Sequence, residues 1–418
     1  MLSDYAAPRR ESPSPPPRGW LLAVVVAALV GATFSAVSTA DFTQFLDRQV
    51  HGLHCSFVPG AGRELGESGC RTVLMSPYSS YFRDRVWGGI PVALWALAVF
   101  SYLVARAGAP LLRGSTDRRE AGFLVAATGL PLGMSAVYFA LSLHVGATCK
   151  VCVGMYVSSI VAFVAAVLAW RQTPAPSPEV AGSPAGWFAQ GVGFVALSTA
   201  VFLAVTPPSD LGKTGTCGTL VQAEDPAGVM VDLKTGPTPA IEVLDPLCPS
   251  CKALDTRLSA SGLGQELGLK GVLFPLDSSC NWMVTEALHP GACTVSEAIL
   301  CAQGLGEKKN PAAARRLLAY AFAHQEQLRE EAKKDPKALR ALLEKDFPEI
   351  KGCLGGAQVK NKLGKSLRWA VANALPVLTP QLFVREKRMC DEDTDLGFEY
   401  SLAKLLAAGD GVAKKGVP

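Results

Sequence analysis

Residues 148–156 read Thr-Cys-Lys-Val-Cys-Val-Gly-Met-Tyr and place Cys149 and Cys152 three positions apart at the start of a long apolar run. Two thiols at this spacing can close a disulfide and reopen it, and a helix N-terminus favours the thiolate that performs the exchange. The same spacing recurs at Cys248 and Cys251, in a stretch with the composition of a soluble domain. The two pairs predict a protein that passes electrons between two dithiol sites.

The composition indicates a membrane protein. The chain has 418 residues, of which 49% are hydrophobic and only 18% are charged. The apolar excess lies before about residue 207, so we expect a membrane half followed by a soluble half. The net charge of +4 is small for this length. Because no basic stretch is interleaved with aromatic residues, nucleic acid is not an expected partner.

Five stretches without charge are long enough to cross a bilayer as helices, which takes about 20 residues each. They are residues 20–40, 86–105, 121–143, 151–170 and 187–206. We therefore expect a cytoplasmic tail at 1–19, a transmembrane domain at 20–170, a linker with a fifth membrane helix at 171–206, and a soluble domain at 207–418. A cleaved secretory signal is the alternative for the first stretch, because Ser38-Thr39-Ala40 has the small residues of a cleavage site.

Arginines predict the orientation of these helices. By the positive-inside rule, short connections with an excess of arginine face the cytoplasm. The long loop at 41–85 also holds five arginines, but five acidic residues match them, and long loops count for less. The first external loop, the Cys149–Cys152 pair and the soluble domain then face one compartment, and electrons can pass among them without crossing the bilayer. The arginines concerned are Arg106, Arg113, Arg118 and Arg119, between the second and third stretches, and Arg171 after the fourth.

The order of several residues resembles the vitamin K epoxide reductase family. These residues are Cys55, Cys70, Ser76-Pro77-Tyr78, Gly89-Ile90-Pro91, Thr148-Cys149, Cys152 and Tyr156. The resemblance covers about residues 20–170. It implies a four-helix bundle that encloses a quinone, either ubiquinone or menaquinone, within the lipid bilayer.

The resemblance also implies a role for each of these residues. Cys152 is the thiol nearest the quinone, Cys149 exchanges with the loop pair Cys55 and Cys70, and Ser76 and Tyr156 donate hydrogen bonds to quinone oxygens. Without the resemblance, Ser76 before Pro77 would be a turn residue and Tyr156 an anchor at the membrane interface. Two features depart from the family's pattern: the loop between Cys55 and Cys70 is longer than the family's usual spacing, and residues 82–88 carry extra charges where the family usually has a short aromatic-glycine turn. A role of His54 in lowering the pKa of the neighbouring Cys55 is one alternative, but we expect an incidental residue of an exposed loop.

The soluble half resembles a thioredoxin-like domain. Ile241-Glu242-Val243-Leu244 is a short strand, and Cys248 begins the amphipathic stretch that follows it, with Cys251 one turn further in. Thr379-Pro380 precedes a strand at 381–384 and resembles the family's Thr-Pro, whose proline is cis and faces the dithiol. A helical stretch at 311–345 resembles the insertion of the periplasmic, disulfide-forming branch of this fold. Within it, the charged run 326–334 predicts a solvated helix face.

Twelve cysteines favour an oxidising compartment. A four-thiolate zinc site is disfavoured by the separation of the two pairs, about a hundred residues, so no metal is expected. Neither pair is followed by histidine, which argues against covalent haem attachment. Structural disulfides are the expected fate of the other cysteines, with Cys280 paired to Cys293. These others are Cys217, Cys280, Cys293, Cys301, Cys353 and Cys390.

Together these features predict a four-helix quinone-binding bundle with a fifth transmembrane helix, followed by an α/β thioredoxin-like domain with a helical insertion. The leading hypothesis is a quinone-dependent thiol oxidase that forms disulfides in secreted or periplasmic proteins. It would be a multi-pass protein of the bacterial inner membrane, with the thioredoxin-like domain in the periplasm. Reduction of vitamin K epoxide, and a membrane-tethered disulfide isomerase or chaperone, remain the alternatives.

Overall fold

A computed structural model describes residues 17–47, 52–58, 69–173, 183–206, 217–306, 309–390 and 396–413. The chain forms two compact units. The first comprises Met1–Phe82 and Gly88–Pro208, and the second comprises Arg83–Trp87 and Ser209–Pro418. Most of the expected cytoplasmic tail, the proline-rich linker at 174–182 and the Pro207-Pro208 pair lie outside the described residues.

The first unit is a bundle of long apolar helices. Five helices of the described residues are long and apolar enough to cross a membrane, as the sequence predicts, and the chain is a multi-pass membrane protein. A short helix and a two-stranded sheet lie in the connection after the first long helix. The elements are α1 (Arg18–Gln44), α2 (Gly69–Met75), β1 (Ser80–Tyr81), β2 (Ile90–Pro91), α3 (Val92–Arg113), α4 (Arg118–Val145), α5 (Lys150–Gln172) and α6 (Pro184–Val205).

The predicted bounds of the second membrane helix are wrong at both ends. α3 begins at Val92 rather than at residue 86, because Gly88 and Gly89 adopt positive φ and Ile90–Pro91 pairs antiparallel with Ser80–Tyr81. At the other end the helix continues to Arg113 instead of stopping before Arg106. The buried Arg106 forms an ion pair with the buried Glu120 of α4, at 2.6 Å, so its charge is balanced inside the bundle.

α1 lies between α3 and α5 and packs against both. Small residues allow these close approaches: a Cβ atom at Gly31 would lie 2.6 Å from the Phe100 ring, and one at Gly154 would lie 2.5 Å from the Phe34 ring. α6 packs against α3, where the Tyr102 hydroxyl donates to the carbonyl of Trp187 at 2.6 Å. Close packing of small residues against large ones is the usual basis of helix association in lipid.

The cysteines lie at one end of this bundle. Phe34 of α1 packs in a buried cluster with Cys55, Cys70 and Cys149. The Arg106–Glu120 ion pair is at the opposite end, because α4 runs from Arg118 to Val145 before the chain reaches Cys149. The bundle therefore separates an arginine-rich end from a cysteine-rich end.

The second unit has a five-stranded mixed sheet with helices on it. The strand order is β3-β5-β4-β6-β7, in which β4 and β5 are parallel and the other pairs are antiparallel. On β4, Val243 belongs to a core cluster with α12, whereas Leu244 belongs to one with α8 and α9. The elements are β3 (Val231–Asp232), β4 (Thr238–Leu244), α7 (Pro249–Ala260), β5 (Leu267–Leu273), α8 (Ala292–Gln303), α9 (Pro311–Ala323), α10 (Gln325–Lys334), α11 (Pro336–Asp346), α12 (Ala357–Ala372), β6 (Gln381–Val384), β7 (Lys387–Arg388) and α13 (Phe398–Ala413).

This arrangement of strands and helices is thioredoxin-like, as predicted. The helical stretch expected at 311–345 consists of α9, α10 and α11. The Cys280–Cys293 disulfide predicted from the sequence is present, and the remaining four of the six cysteines form Cys217–Cys390 and Cys301–Cys353. All three bonds lie within the second unit.

The extra charges in residues 82–88 also have an explanation. Arg83 belongs to the second unit, where it forms a buried ion pair with Glu399 at 3.2 Å. Trp87 packs edge-on against Tyr400, with ring centroids 5.8 Å apart. Residues 83–85 and 87–88 are in turns, and the side chains of Arg83 and Trp87 form part of a hydrophobic and ionic cluster of the second unit.

Gly154 tests the packing that holds α5 in place. We expect Gly154→Val to lower the free energy of unfolding of the purified protein by roughly 1–3 kcal/mol, because the new methyl groups would overlap the buried Phe34 ring. Gly133→Val on α4 is the matched control, since nothing lies within 4 Å of a Cβ atom there. Thermal unfolding in detergent measures both. Equal unfolding temperatures for the two variants would contradict close packing at Gly154.

Candidate functional site

The first dithiol lies at the start of α5. Cys149 is the N-cap residue of this helix, and its Sγ accepts the backbone N–H of Cys152 at 3.4 Å. Both cysteines are free thiols, and Cys149 is buried. The first N–H groups of a helix have no partner within the helix, so a sulfur at this position is stabilised as the thiolate.

A disulfide lies beside this dithiol. Cys55 and Cys70 are joined, and both pack with Cys149 in one buried cluster. Gly69 shows how close the backbones are, because a Cβ atom there would lie 2.3 Å from the carbonyl oxygen of Thr148. The structure thus brings three predicted cysteines together at one end of the bundle. Residues 59–68 of the long connecting loop lie outside the described residues.

His54 has a defined partner, contrary to the expectation of an incidental, exposed residue. Its backbone N–H donates to Asp41 Oδ2 at 2.9 Å, and its Nδ1 lies 2.7 Å from Asp41 Oδ1. Asp41 is buried near the end of α1. This contact fixes the loop residue that precedes Cys55. A single carboxylate directly after a long stretch without charge was the available signal, but nothing local to Asp41 indicates its partner.

A cavity of about 380 Å³ opens beside the dithiol, between the helices of the first unit. Cys70, Cys149 and Cys152 all line it, and most of the other lining side chains are apolar. The residues with hydroxyl groups at its wall include Ser76, Tyr78, Tyr81, Tyr138 and Tyr156, together with five further serines. The cavity can therefore hold a flat apolar molecule with polar atoms at its edge, in contact with a thiol.

The two predicted hydrogen-bond donors of this cavity differ in their surroundings. The Ser76 hydroxyl donates to the carbonyl of Val73 at 2.7 Å, so it must give up that bond before it can donate to a ligand. Tyr156 packs edge-on against Phe139, with ring centroids 6.2 Å apart. A further pair was missed: the hydroxyl oxygens of Tyr81 and Tyr138 lie 3.2 Å apart.

The second dithiol lies at the start of α7, in the second unit. Cys248 is the N-cap residue, Pro249 is the first helical residue, and Cys251 is one turn further in and fully buried. The Thr379–Pro380 peptide bond is cis, and the carbonyl oxygen of Thr379 lies 3.6 Å from Cys248 Sγ. The strand-turn-helix order and this proline loop thus place all four predicted residues at one point.

The two thiols differ in acidity. The pKa of Cys248 is lowered to about 6, mainly by a hydrogen bond from the Cys251 thiol, against the opposing effect of burial and with a smaller lowering from the Thr379 side chain. Among the described residues the buried Thr379 hydroxyl has no partner within hydrogen-bond distance, so it is free to turn toward this sulfur. Burial raises the pKa of Cys251 well above its usual value, and the hydrogen bond to Cys248 adds to this. Cys248 is therefore the thiolate at neutral pH, and Cys251 keeps its proton.

Glu242 is a residue of this site that the sequence analysis did not single out. It lies on β4, is buried, and raises the pKa of Cys251. Burial first, and then the nearby Asp255, raises the pKa of Glu242 to about 8. Its Oε1 has no hydrogen-bond partner in the described part of the chain. A glutamate inside an otherwise apolar strand was the signal for a protonated carboxyl beneath the dithiol.

α10 also holds the dithiol turn. The Gln325 side chain is buried and donates to the carbonyls of Cys248, at 2.8 Å, and Pro246, at 3.2 Å. The rest of this helix has the solvated ion pairs expected of the charged run, such as Lys333 with Glu330. One face of the helical insertion therefore fixes the backbone next to the reactive sulfur.

The comparison with protein families agrees with the architecture of the first unit. Residues 22–167 match the Vitamin K epoxide reductase family. No curated protein matches the chain. The crystal structure of the oxidoreductase DsbA from Xylella fastidiosa is similar at 17% sequence identity, with a TM-score of 0.31, over 46% of this chain and 98% of that one. Residues 22–167 thus match the vitamin K epoxide reductase family model, and the second unit has the mixed sheet of a thioredoxin-like domain.

Glu242 makes a prediction about stability and pH. A carboxyl with a raised folded pKa contributes stability below its unfolded pKa, and this contribution is lost as the pH rises through the folded pKa. For Glu242 the loss accumulates between pH 4.5 and about 8. We expect Glu242→Gln to remove this loss. The free energy of unfolding of the variant, relative to that of the unmodified chain, should then be about 3 kcal/mol higher at pH 7 than at pH 4.5.

The measurement is the urea midpoint of the second unit at pH 4.5, 7 and 8, followed by proteolysis within residues 217–390. Glu266→Gln, at an exposed position, is the control. The Glu242→Gln advantage should grow with pH while the control follows the unmodified chain. An advantage that stays constant across this range would show that the carboxyl does not titrate as stated.

Proposed function

We propose that this protein is a quinone-dependent thiol oxidase that forms disulfides and passes them through its thioredoxin-like domain to secreted proteins with free thiols. The observation that carries the proposal is the position of Cys149 and Cys152 on an apolar cavity of about 380 Å³ beside the Cys55–Cys70 disulfide. The cavity suits a flat quinone ring, since its lining is apolar and hydroxyl groups lie at its wall. A bound quinone would supply a two-electron, two-proton acceptor, and ubiquinone and menaquinone are the expected candidates.

The residues that would hold the ring are those with hydroxyls on the cavity. Tyr156 lies one turn beyond Cys152 on the same helix and can reach a ring oxygen. Ser76 can do so after releasing Val73. The dithiol, the disulfide and the hydroxyls then act at one place from which bulk water is largely excluded.

The soluble dithiol is suited to accept electrons from protein thiols. In the oxidised domain, a substrate thiolate attacks the Cys248–Cys251 bond, and a second substrate thiol then releases the domain, so the substrate gains a disulfide and the domain gains two thiols. Cys248 is a good leaving group because its pKa is about 6. Cys251 takes up a proton, and Glu242 lies beside it as a proton carrier.

The electrons then move through two further exchanges. The reduced Cys248–Cys251 pair reduces Cys55–Cys70, and the resulting loop thiols reduce a Cys149–Cys152 disulfide. Each exchange breaks one disulfide and forms another, so two electrons and two protons pass at each step. We place these events on the periplasmic side of a bacterial inner membrane, because the arginine-rich end of the bundle favours the cytoplasm.

The acidity of Cys248 favours oxidation over the alternatives. A stabilised thiolate favours the reduced form of a dithiol, which makes its disulfide a strong oxidant of other thiols. A carrier that exports reducing equivalents has less use for such a site. Reduction of vitamin K epoxide would use the same cavity but gives no role to an oxidising partner domain.

Cys152 tests the membrane step. In Cys152→Ala we expect the rate of quinone reduction by a dithiol donor to fall to the uncatalysed rate, because the thiol beside the cavity is lost. Absorbance of short-chain ubiquinone and menaquinone analogues, added to the purified full chain, measures the reaction. The double variant Cys280→Ala/Cys293→Ala, which removes a disulfide of the second unit, should keep activity. Turnover that survives in Cys152→Ala would remove this thiol from the mechanism.

Cys251 tests the transfer between the two domains. Cys251→Ala removes the thiol that resolves a mixed disulfide, so a bond from Cys248 to a loop cysteine should accumulate. We expect Cys55 to be that partner, with Cys70 left to engage Cys149. Non-reducing mass spectrometry after thiol blocking identifies the bridged peptides.

Because both partners are in one chain, the yield should not depend on protein concentration. The control Cys248→Ala/Cys251→Ala should form no such bridge. If Cys248 in the single variant were joined only to other proteins, or remained free, the proposed relay would be wrong.

A further inference from the structure

His289 forms an ion pair directly behind the soluble dithiol. It lies between β5 and α8, and its Nδ1 is 2.8 Å from Asp245 Oδ2, with 13% of the histidine side chain and none of the aspartate side chain exposed. The same carboxylate accepts the backbone N–H groups of Leu247 and Leu276, each at 2.7 Å. Asp245 is therefore held in one position with its charge inside the protein.

This buried charge lies close to both sulfurs. The Asp245 carbonyl accepts the N–H of Cys248 at 3.1 Å, and its own N–H points at Cys251 Sγ at 3.5 Å. A fixed negative charge here disfavours a second one, and Asp245 acts to raise the pKa of Cys248. The residues between the cysteines, Pro249 and Ser250, are not ionisable and cannot offset it.

We propose that His289 is a positioning residue that keeps Cys248 as a thiolate by placing a positive charge against Asp245. The inference rests on the thiol chemistry proposed for Cys248. The protonated imidazole neutralises the carboxylate that faces the turn, so that the negative charge on the sulfur meets less repulsion. When the imidazole is lost, the carboxylate acts on the sulfur without compensation.

The effect of Cys248 on His289 also supports this role. Burial acts to lower the pKa of His289, but the hydrogen bond and charge of Asp245 and the charge of Cys248 outweigh it, and the net effect is a raised pKa. Arg329 of α10, whose Nη1 lies 3.5 Å from the carbonyl of Leu247, acts to lower it. Coupling between two sites is reciprocal, so a thiolate that stabilises the imidazolium is stabilised by it to the same extent.

The first test measures alkylation of Cys248 in the full, reduced chain. In His289→Gln we expect iodoacetamide to modify the Cys248 peptide about threefold to tenfold more slowly at pH 5, where the rate follows the thiolate fraction. At pH 8.5 Cys248 is a thiolate in both the unmodified chain and the variant, so the rates should be equal or the variant slightly faster. His289→Lys, which retains a cation, should restore most of the rate at pH 5.

His324→Gln is the matched control. His324 is an exposed histidine of the same unit, stacked on Tyr320 at 4.3 Å. It should not change the rate at either pH. A His289→Gln rate equal to that of the unmodified chain at pH 5, or an equal loss at both pH values, would overturn the role of His289 while leaving the proposed function intact. Ordinary thiol behaviour of Cys248 in the unmodified chain would overturn both.

A second measurement needs no substitution at His289. With carbon-13 in the imidazole rings, NMR titration of the unmodified chain follows His289 in the dithiol and disulfide forms. We expect the pKa of His289 to be lower in the disulfide form, because the thiolate charge is absent. Identical titration in the two redox states would overturn the inference even if His289→Gln failed to fold.

Discussion

A cysteine sulfur at the N-terminus of a helix is the feature on which the rest of this structure depends. Cys149 caps α5 and Cys248 caps α7, and in both places unpaired backbone N–H groups can stabilise a thiolate. Such a site works only if the helix start is held in place. In the membrane unit Gly69 and Gly154 allow neighbouring elements to pack tightly around the start of α5, and in the second unit Gln325 binds the carbonyl next to the sulfur.

Buried charge accompanies both dithiols. Asp41 pairs with His54 next to Cys55, and Asp245 pairs with His289 behind Cys248. A buried carboxylate is costly unless it is paired and hydrogen-bonded, so its presence beside a reactive sulfur in two unrelated folds calls for a physical reason. Thiol exchange creates and removes negative charge at sulfur, and at the second dithiol the imidazole of His289 can change its own charge in response.

The sequence predicted the elements of the fold better than the contacts between them. The apolar stretches predicted the five membrane helices, and the order of cysteines and Thr379-Pro380 predicted both domain types, because these signals are local. The start of α3 was misplaced, since pairing of Ile90 with Tyr81 overrides its apolar character. The pairing of His289 with Asp245 spans 44 residues and depends on the packing of separate elements, so no spacing in the chain indicates it.

In the proposed relay, the acidity of Cys248 calls for a strong electron acceptor at the far end. With a pKa of about 6 instead of 9, the sulfur is mainly a thiolate at pH 7. This stabilises the dithiol form about tenfold, or about 1.4 kcal/mol, which makes the domain about 30 mV more oxidising. The stabilised thiolate favours electron transfer from substrates to this domain. It disfavours electron transfer from this domain to the loop disulfide by the same amount. The proposed relay is therefore driven from its far end, by an acceptor in the apolar cavity, and linkage in one chain keeps the less favourable middle exchange from being limited by encounter.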